Sequence, residues 1–536
     1  MSKENALHRL IFSSKIYNST LKEKKIKSTS KIEIETYPGS IEIGNHIFQG
    51  KLTLSGHTID LRDKLPWEIR ATREWNKEFH SFFWLHHLRA SNTIAASRFS
   101  QTIIKKWIME FNNWNELTWH ISLIAMRIES WVLNYNFIIK DADQKFIDIF
   151  FDSIQKQSKH LLRWNTLNNN NIDYLQTRLS LYLWGVLKNK KKFSQKAVKL
   201  INIQIEKNFK DKNLFDCSNA TEALTLLRIL SLLKIINQQT FNLTINHLDD
   251  LVDYFLRVII TLMHNDEKLS IFNGSFENND DFKIILKNLN KVKNDIETLV
   301  SLSSLGFEKI SFKRLSIIIK SGKFNSSRNY LGPLSFEASI GKERLVVNCG
   351  TFSGEDKTWE KLSKNNHAYS TITINDSNPD FVTEKKFFEP PLRGDEDTNS
   401  WLEVRHHGYR KKFGIIHVRR IHIYHDGMEI VGNDSIIAID NLIKNDKYHA
   451  VLRFHLHPLV SASRTGNIDE VLLRLNKGPG WLFKVNLQKA KVDESVYMGI
   501  KGEMKRSQQI VVEFDIDSPK QEILWKFIRL PERELH

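Results

Sequence analysis

The chain has 536 residues, of which 41% are hydrophobic and 26% charged, with two cysteines and a formal net charge of +16. That length exceeds what one hydrophobic core covers, and the composition is that of folded globular domains, which excludes a disordered chain. Cys217 and Cys349 alone exclude a disulfide framework and a cysteine-rich zinc site, while the basic balance favours an anionic partner, be it a uronate polysaccharide, nucleic acid or a phospholipid surface.

Residues 1–12 carry Lys3, Glu4, His8 and Arg9 where a secretory signal needs an unbroken apolar run, so no export signal is read and a cytoplasmic location is expected. Residues 1–65 form an extension in which 31–35 and 50–54 alternate like short strands, separated by Pro38-Gly39 and Asn45. From Pro66 to about residue 310 the spacing becomes helical. Trp75, Phe79 and Phe82 recur at three- and four-residue steps, as do Trp119, Leu123 and Met126, with Trp67, Phe83 and Trp131 close by. Asn-rich residues 168–171 and Lys-rich residues 188–192 read as exposed turns, and the Lys run has none of the interleaved aromatics that a nucleic-acid platform needs. The longest apolar run, residues 224–236, is broken by Arg228 and Lys234 and falls short of the ~20 residues of a membrane span, so none is expected. No repeat with a shared motif emerges, which favours a closed helical array over a solenoid.

From residue 311 to 536 the period switches to two. Residues 314–319, 370–374, 417–423, 428–431, 451–457, 471–475 and 509–514 read as strands, punctuated by Asp426-Gly427 and Gly478-Pro479-Gly480. Helices followed by antiparallel strands predict an α+β chain with separate domains.

Residues 330–339 read Tyr-Leu-Gly-Pro-Leu-Ser-Phe-Glu-Ala-Ser and residues 344–351 read Arg-Leu-Val-Val-Asn-Cys-Gly-Thr, a pair of buried strands joined at Gly341. This segment resembles the core signature of the heparinase II/III-like polysaccharide lyases. Trp119, Arg127 and Trp131 resemble the family's Trp-x(7)-Arg-x(3)-Trp helix, and Phe272-Asn273-Gly274 its Phe-Asn-Gly loop. Arg405-His406-His407-Gly408-Tyr409, His417-Val418-Arg419-Arg420, Phe454-His455-Leu456-His457-Pro458 and Glu494-Ser495-Val496-Tyr497 follow in the family's order. The resemblance implies an incomplete α/α toroid at 66–310, a β-sandwich at 311–536, and β-elimination of an acidic glycan. Many members of that family act in the periplasm.

A C5 proton beside a uronate carboxylate leaves only if the developing charge is neutralised, and the leaving O4 needs an acid. The candidates for this chemistry are His406, His264, Asn273 and Tyr409, with Arg127, Arg405 and Trp119 holding substrate. Arg127 reads equally as a buried partner that fixes two helices, and Asn273 as a residue chosen for left-handed backbone.

The chain also departs from the family pattern. Tyr330 stands where the family has His before Leu-Ser-Phe-Glu, and Tyr369 stands in Ala368-Tyr369-Ser370-Thr371 where the family reads Ala-His-Ser-Thr. Phe215 and Ser218 stand where close relatives carry His and Arg. Zinc, held by His and Asp in many members, could be held here by His455 or His457 with His406 or His367, and phenols are poor substitutes for imidazole. Two readings follow: a lyase that binds and cleaves an acidic glycan, or a catalytically impaired scaffold that binds a glycan or a protein. Nucleic acid is disfavoured because no recognition motif accompanies the charge.

Overall fold

The computed structural model describes residues 10–21, 39–62, 64–164, 171–210, 215, 217–322, 330–380, 387–439 and 448–531. The chain divides into two compact units. One comprises Met1–Cys217, Thr225–Tyr254 and Asp280–Lys293, and the other Ser218–Leu224, Phe255–Asn279 and Asn294–His536. The second therefore takes in Ser218–Leu224, Phe255–Asn279 and residues 294–310, which the sequence pattern groups with the helices.

The first unit is helical. Arg73–Ser81, Ile94–Phe111 and Ile172–Leu187 each begin at a Thr or Asn whose side chain accepts a first-turn N–H, which satisfies a donor the helix itself leaves open. Their apolar stripes bury Trp75, Trp107 and Trp184 completely, as helix Ile121–Leu133 buries Trp131. The alternating residues 31–35 lie outside the described residues. Lys51–Leu54 is a strand paired with His57–Asp60 as its pattern predicts, but Asn45, read as a turn, sits inside a helix, Ile41–Phe48. Ser40 caps that helix, and Gly44 lets it lie directly on Leu85–Ser91, because a Cβ there would stand 2.2 Å from the His87 carbonyl oxygen.

The second unit contains two antiparallel sheets. In one, Asn399–Tyr409, Ile415–Tyr424, Glu429–Ala438 and Lys520–Arg529 are consecutive neighbours. In the other, Leu315–Lys320, Phe336–Ile340, Glu343–Val347, Tyr448–Leu456 and Lys505–Ile516 are. The strand pair expected around Gly341 is present, with that glycine at φ 55° in the turn. Phe336, Leu345, Leu402, Ile421, Phe454, Trp525 and Phe527 form part of one continuous buried core. No helix among the described residues is long and apolar enough to cross a membrane.

A charged network is sealed into this core. The Asp434 carboxylate accepts from His417 Nε2 at 2.7 Å, Arg419 Nε at 2.8 Å and Trp525 Nε1 at 2.8 Å. Arg419 Nη1 then donates to the carbonyls of Leu334 and Ser370, both at 2.8 Å, and so ties this strand to the segments around the other sheet. Burial alone would raise the Asp434 pKa, but Arg419 and His417 outweigh it and hold the carboxyl well below the usual range. Removing one partner of such a group leaves an uncompensated buried charge. Asp434→Ala is therefore expected to cost about 3–5 kcal/mol in urea unfolding, whereas a surface change such as Lys520→Ala should stay within about 0.5 kcal/mol.

Candidate functional site

Within the second unit, the chain from 255 to 279 is anchored by two buried charged residues. Lys309 Nζ donates to the carbonyl of Thr261 at 2.9 Å and that of Met263 at 3.3 Å, meeting acceptors that the end of helix Leu248–Thr261 leaves open. Just beyond, His264 Nε2 donates to Glu337 Oε2 at 2.8 Å, with both side chains fully buried. Glu337 is the acidic residue of Leu-Ser-Phe-Glu. Its other oxygen accepts from Ile271 N–H at 3.1 Å and Asn348 Nδ2 at 3.0 Å. The His264–Glu337 bond fixes the imidazole, and Nδ1 lies buried with no hydrogen-bond partner among the described residues.

Asn348 carries the network onward. Its Oδ1 accepts the Ser370 N–H at 3.0 Å, next to Tyr369. The Tyr369 ring packs on Gly332, where a Cβ would stand 2.3 Å from the ring. The Tyr330 ring packs in the same way on Gly274, where a Cβ would stand 2.7 Å away. Asn273 and Gly274 both adopt left-handed backbone, φ 53° and 87°, as Asn-Gly pairs readily do. That turn leaves the Asn273 amide between two partners: Nδ2 donates to the Ser218 carbonyl at 2.9 Å, and Oδ1 accepts from Lys320 Nζ at 2.6 Å. Burial holds the Lys320 amine well below the usual lysine range. Burial, with Tyr330 close by, pushes the Tyr369 phenol well up.

The structure thus gathers His264, Asn273, Ser218, Tyr330 and Tyr369 from separate motifs into one unit, joined through Glu337, Asn348 and Lys320, which the sequence reading did not single out. The only signal for Lys320 was a lysine ending an otherwise apolar strand, Leu315–Lys320.

The other candidates lie elsewhere. His406 follows Leu402 and Val404 on the core face of its strand, fully buried, with Nε2 3.2 Å from His417 Nδ1 and its ring stacked on Phe387. The Tyr409 hydroxyl is also buried, 3.2 Å from the Ile372 carbonyl and 3.1 Å from Asn366 Nδ2. Arg405 points outward and pairs with Glu403 at 2.6 Å and Glu389 at 3.3 Å. In the first unit, Arg127 is fully buried, donating to Gln157 Oε1 at 2.7 Å and to the carbonyls of His80 and Thr118 at 2.8 Å, with its guanidinium 4.3 Å over Trp107. Trp119 is buried and donates to the Phe111 carbonyl. This unit also buries a cluster that sequence reading did not find, in which Glu129 meets Arg228 and Gln176.

The zinc candidates do not form a donor set. His455 has Ser495 Oγ at 2.8 Å from Nδ1 and donates from Nε2 to the His367 carbonyl at 2.9 Å. His457 Nδ1 accepts the Leu459 N–H. Cys349 lies 3.4 Å from His455 Nδ1, but burial pushes its thiol up to about 11, so it stays protonated at neutral pH. Among the described residues no three His, Cys, Asp or Glu side chains gather as a metal requires.

Residues 297–526 match the family model for the heparinase II/III-like C-terminal domain. This stretch is therefore similar to a heparinase II/III-like C-terminal domain. The whole chain also has the toroid-plus-sandwich fold of the lyases. It superposes on heparinase III with a TM-score of 0.73 at 11% identity, covering 96% of this chain and 88% of that one. With a heparan sulfate lyase of Pedobacter heparinus the TM-score is 0.63 at 11% identity, over 97% of this chain and 88% of that one. In sequence it is 24% identical over 523 residues to FtsZ-localized protein C of Caulobacter vibrioides, covering 88% of this chain and 85% of that protein.

Burial also disfavours the charged form of four histidines, two in each unit. Burial holds His455 at about 4, His457 at about 3, His160 at about 4 and His80 at about 3, against about 6.5 when unfolded. The unfolded chain therefore binds more protons below pH 6.5. Stability from these groups is complete above that pH and falls as pH drops towards 4, by about 1.4 kcal/mol per pH unit for each histidine. Urea midpoints measured from pH 7.5 to 4.5 should fall accordingly, and less steeply in a His455→Gln variant.

Proposed function

We propose that this chain is a binding scaffold built on the lyase fold, with an acidic glycan or protein as its partner, and that it does not carry out β-elimination. One observation carries the reading: the side chains suited to elimination are spent on holding the second unit together. The Asn273 amide is used at both ends, and His406 and Tyr409 lie in the sandwich interior. A group committed to buried partners is not available to take a C5 proton or to protonate O4. The net charge of +16 supports an anionic partner. The likeness to a protein named for its localisation with FtsZ supports a role in binding.

A second reading rests on the His264–Glu337 pair. A carboxylate that fixes an imidazole and leaves its other nitrogen without a partner is the arrangement of an oriented general base. If the site opens to substrate, His264 would take the C5 proton.

One set of measurements separates the two. The full chain is incubated with heparin, heparan sulfate, chondroitin sulfate and alginate across a pH series, following the absorbance of the unsaturated uronate, while retention on the immobilised polymers and co-sedimentation with FtsZ polymers report binding. The scaffold reading expects salt-sensitive binding to one of these partners and no gain in absorbance. Turnover that disappears in His264→Ala would establish the second reading instead.

A further inference from the structure

We infer that Lys320 does in this chain the work of a bound divalent cation, so that the sandwich is metal-free by construction. The two positions where the family resemblance calls for imidazoles hold phenols, and each phenol is seated on a glycine that leaves it no slack, Tyr330 on Gly274 and Tyr369 on Gly332. Beside them stands an amine. Lys320 Nζ is fully buried, 2.8 Å from the Leu331 carbonyl, 3.4 Å from that of Tyr330, and 5.9 Å from the centre of the Tyr369 ring.

A structural metal joins segments distant in sequence by presenting one electropositive centre to several oxygen or nitrogen donors. Lys320 has the same connectivity. Its donors reach the Asn273 side-chain oxygen at 2.6 Å and the Leu331 carbonyl at 2.8 Å, so one side chain ties the Phe-Asn-Gly loop and the segment before Leu-Ser-Phe-Glu to strand Leu315–Lys320. Where the family resemblance calls for imidazole, a cation beside this amine would find the Tyr369 ring, and a phenol is a poor ligand in its place. The oxygens that a metal would draw in are already taken by Lys320. This inference concerns how the site is held and stands whether or not the chain turns over a glycan.

The test begins with the full chain. After expression with zinc and dialysis, elemental analysis should find far less than one zinc per chain, and the melting temperature should be the same with zinc or with chelator. Stoichiometric zinc, or a chelator-induced fall in melting temperature, would overturn the inference. Lys320→Met should lower the melting temperature by ~5 °C or more, because two buried acceptors lose their donor. An unchanged melting temperature would also count against it. Finally, Tyr330→His with Tyr369→His should still bind no zinc, while the same pair with Lys320→Asp, which replaces the amine by a carboxylate, should retain about one zinc per chain and melt higher with it. Equal zinc in the double and triple variants would show that Lys320 does not fill the site, and a folded triple variant that binds none would show that these positions do not converge on one.

Discussion

The Glu337 carboxylate is the constraint on which the arrangement of the second unit rests. A fully buried carboxylate costs several kcal/mol unless its oxygens are met by donors, and Glu337 obtains them from His264, Ile271 N–H and Asn348. Two of these come from the chain around 264–271 and one from the sandwich, so satisfying one charge fixes how residues 255–279 join the sheets. The Asn348 amide then positions the Ser370 backbone and with it Tyr369. The phenol, the imidazole and the Asn-Gly turn are where they are because this charge cannot be left unpaired.

The same logic recurs across the sandwich. Asp434 gathers His417, Arg419 and Trp525, and Lys320 gathers Asn273 and Leu331. In each case a side chain of a kind that does chemistry in many enzymes is enclosed among the partners that make its burial tolerable. Enclosure of this sort fixes geometry, and it also withdraws the group from solvent and from substrate. That is why a fold shared with glycan lyases is compatible with a scaffold role, and why the fold alone does not decide activity.

Much of this was legible beforehand. Alternation located the strands, and the Leu-Ser-Phe-Glu and Phe-Asn-Gly motifs marked two of the loops that meet. The inward direction of His406 could also have been read, since residues 402, 404 and 406 share one strand face and the first two are apolar. It was the chemical reputation of histidine that made it look like a catalyst. Lys320 carried almost no signal, because a lysine ending a strand is ordinarily a solvated edge residue, and only its contact with a loop 47 positions away makes it central. The helix Ile41–Phe48 was hidden for a similar reason: its apolar residues alternate locally, and packing on Leu85–Ser91 through Gly44 settled the matter.

By itself, the sequence determined the change from helical to alternating periodicity, the hairpins at Gly341 and Gly427, and the absence of imidazole at residues 330 and 369, because these depend on neighbours along the chain and on residue identity. Only the tertiary structure decided that His264 would meet a carboxylate 73 residues away, that Arg419 would reach carbonyls 85 and 49 residues away, and that a lysine would stand beside the two tyrosines. The pairing of buried polar groups is set by which segments the whole core brings together, and local pattern carries no record of those partners.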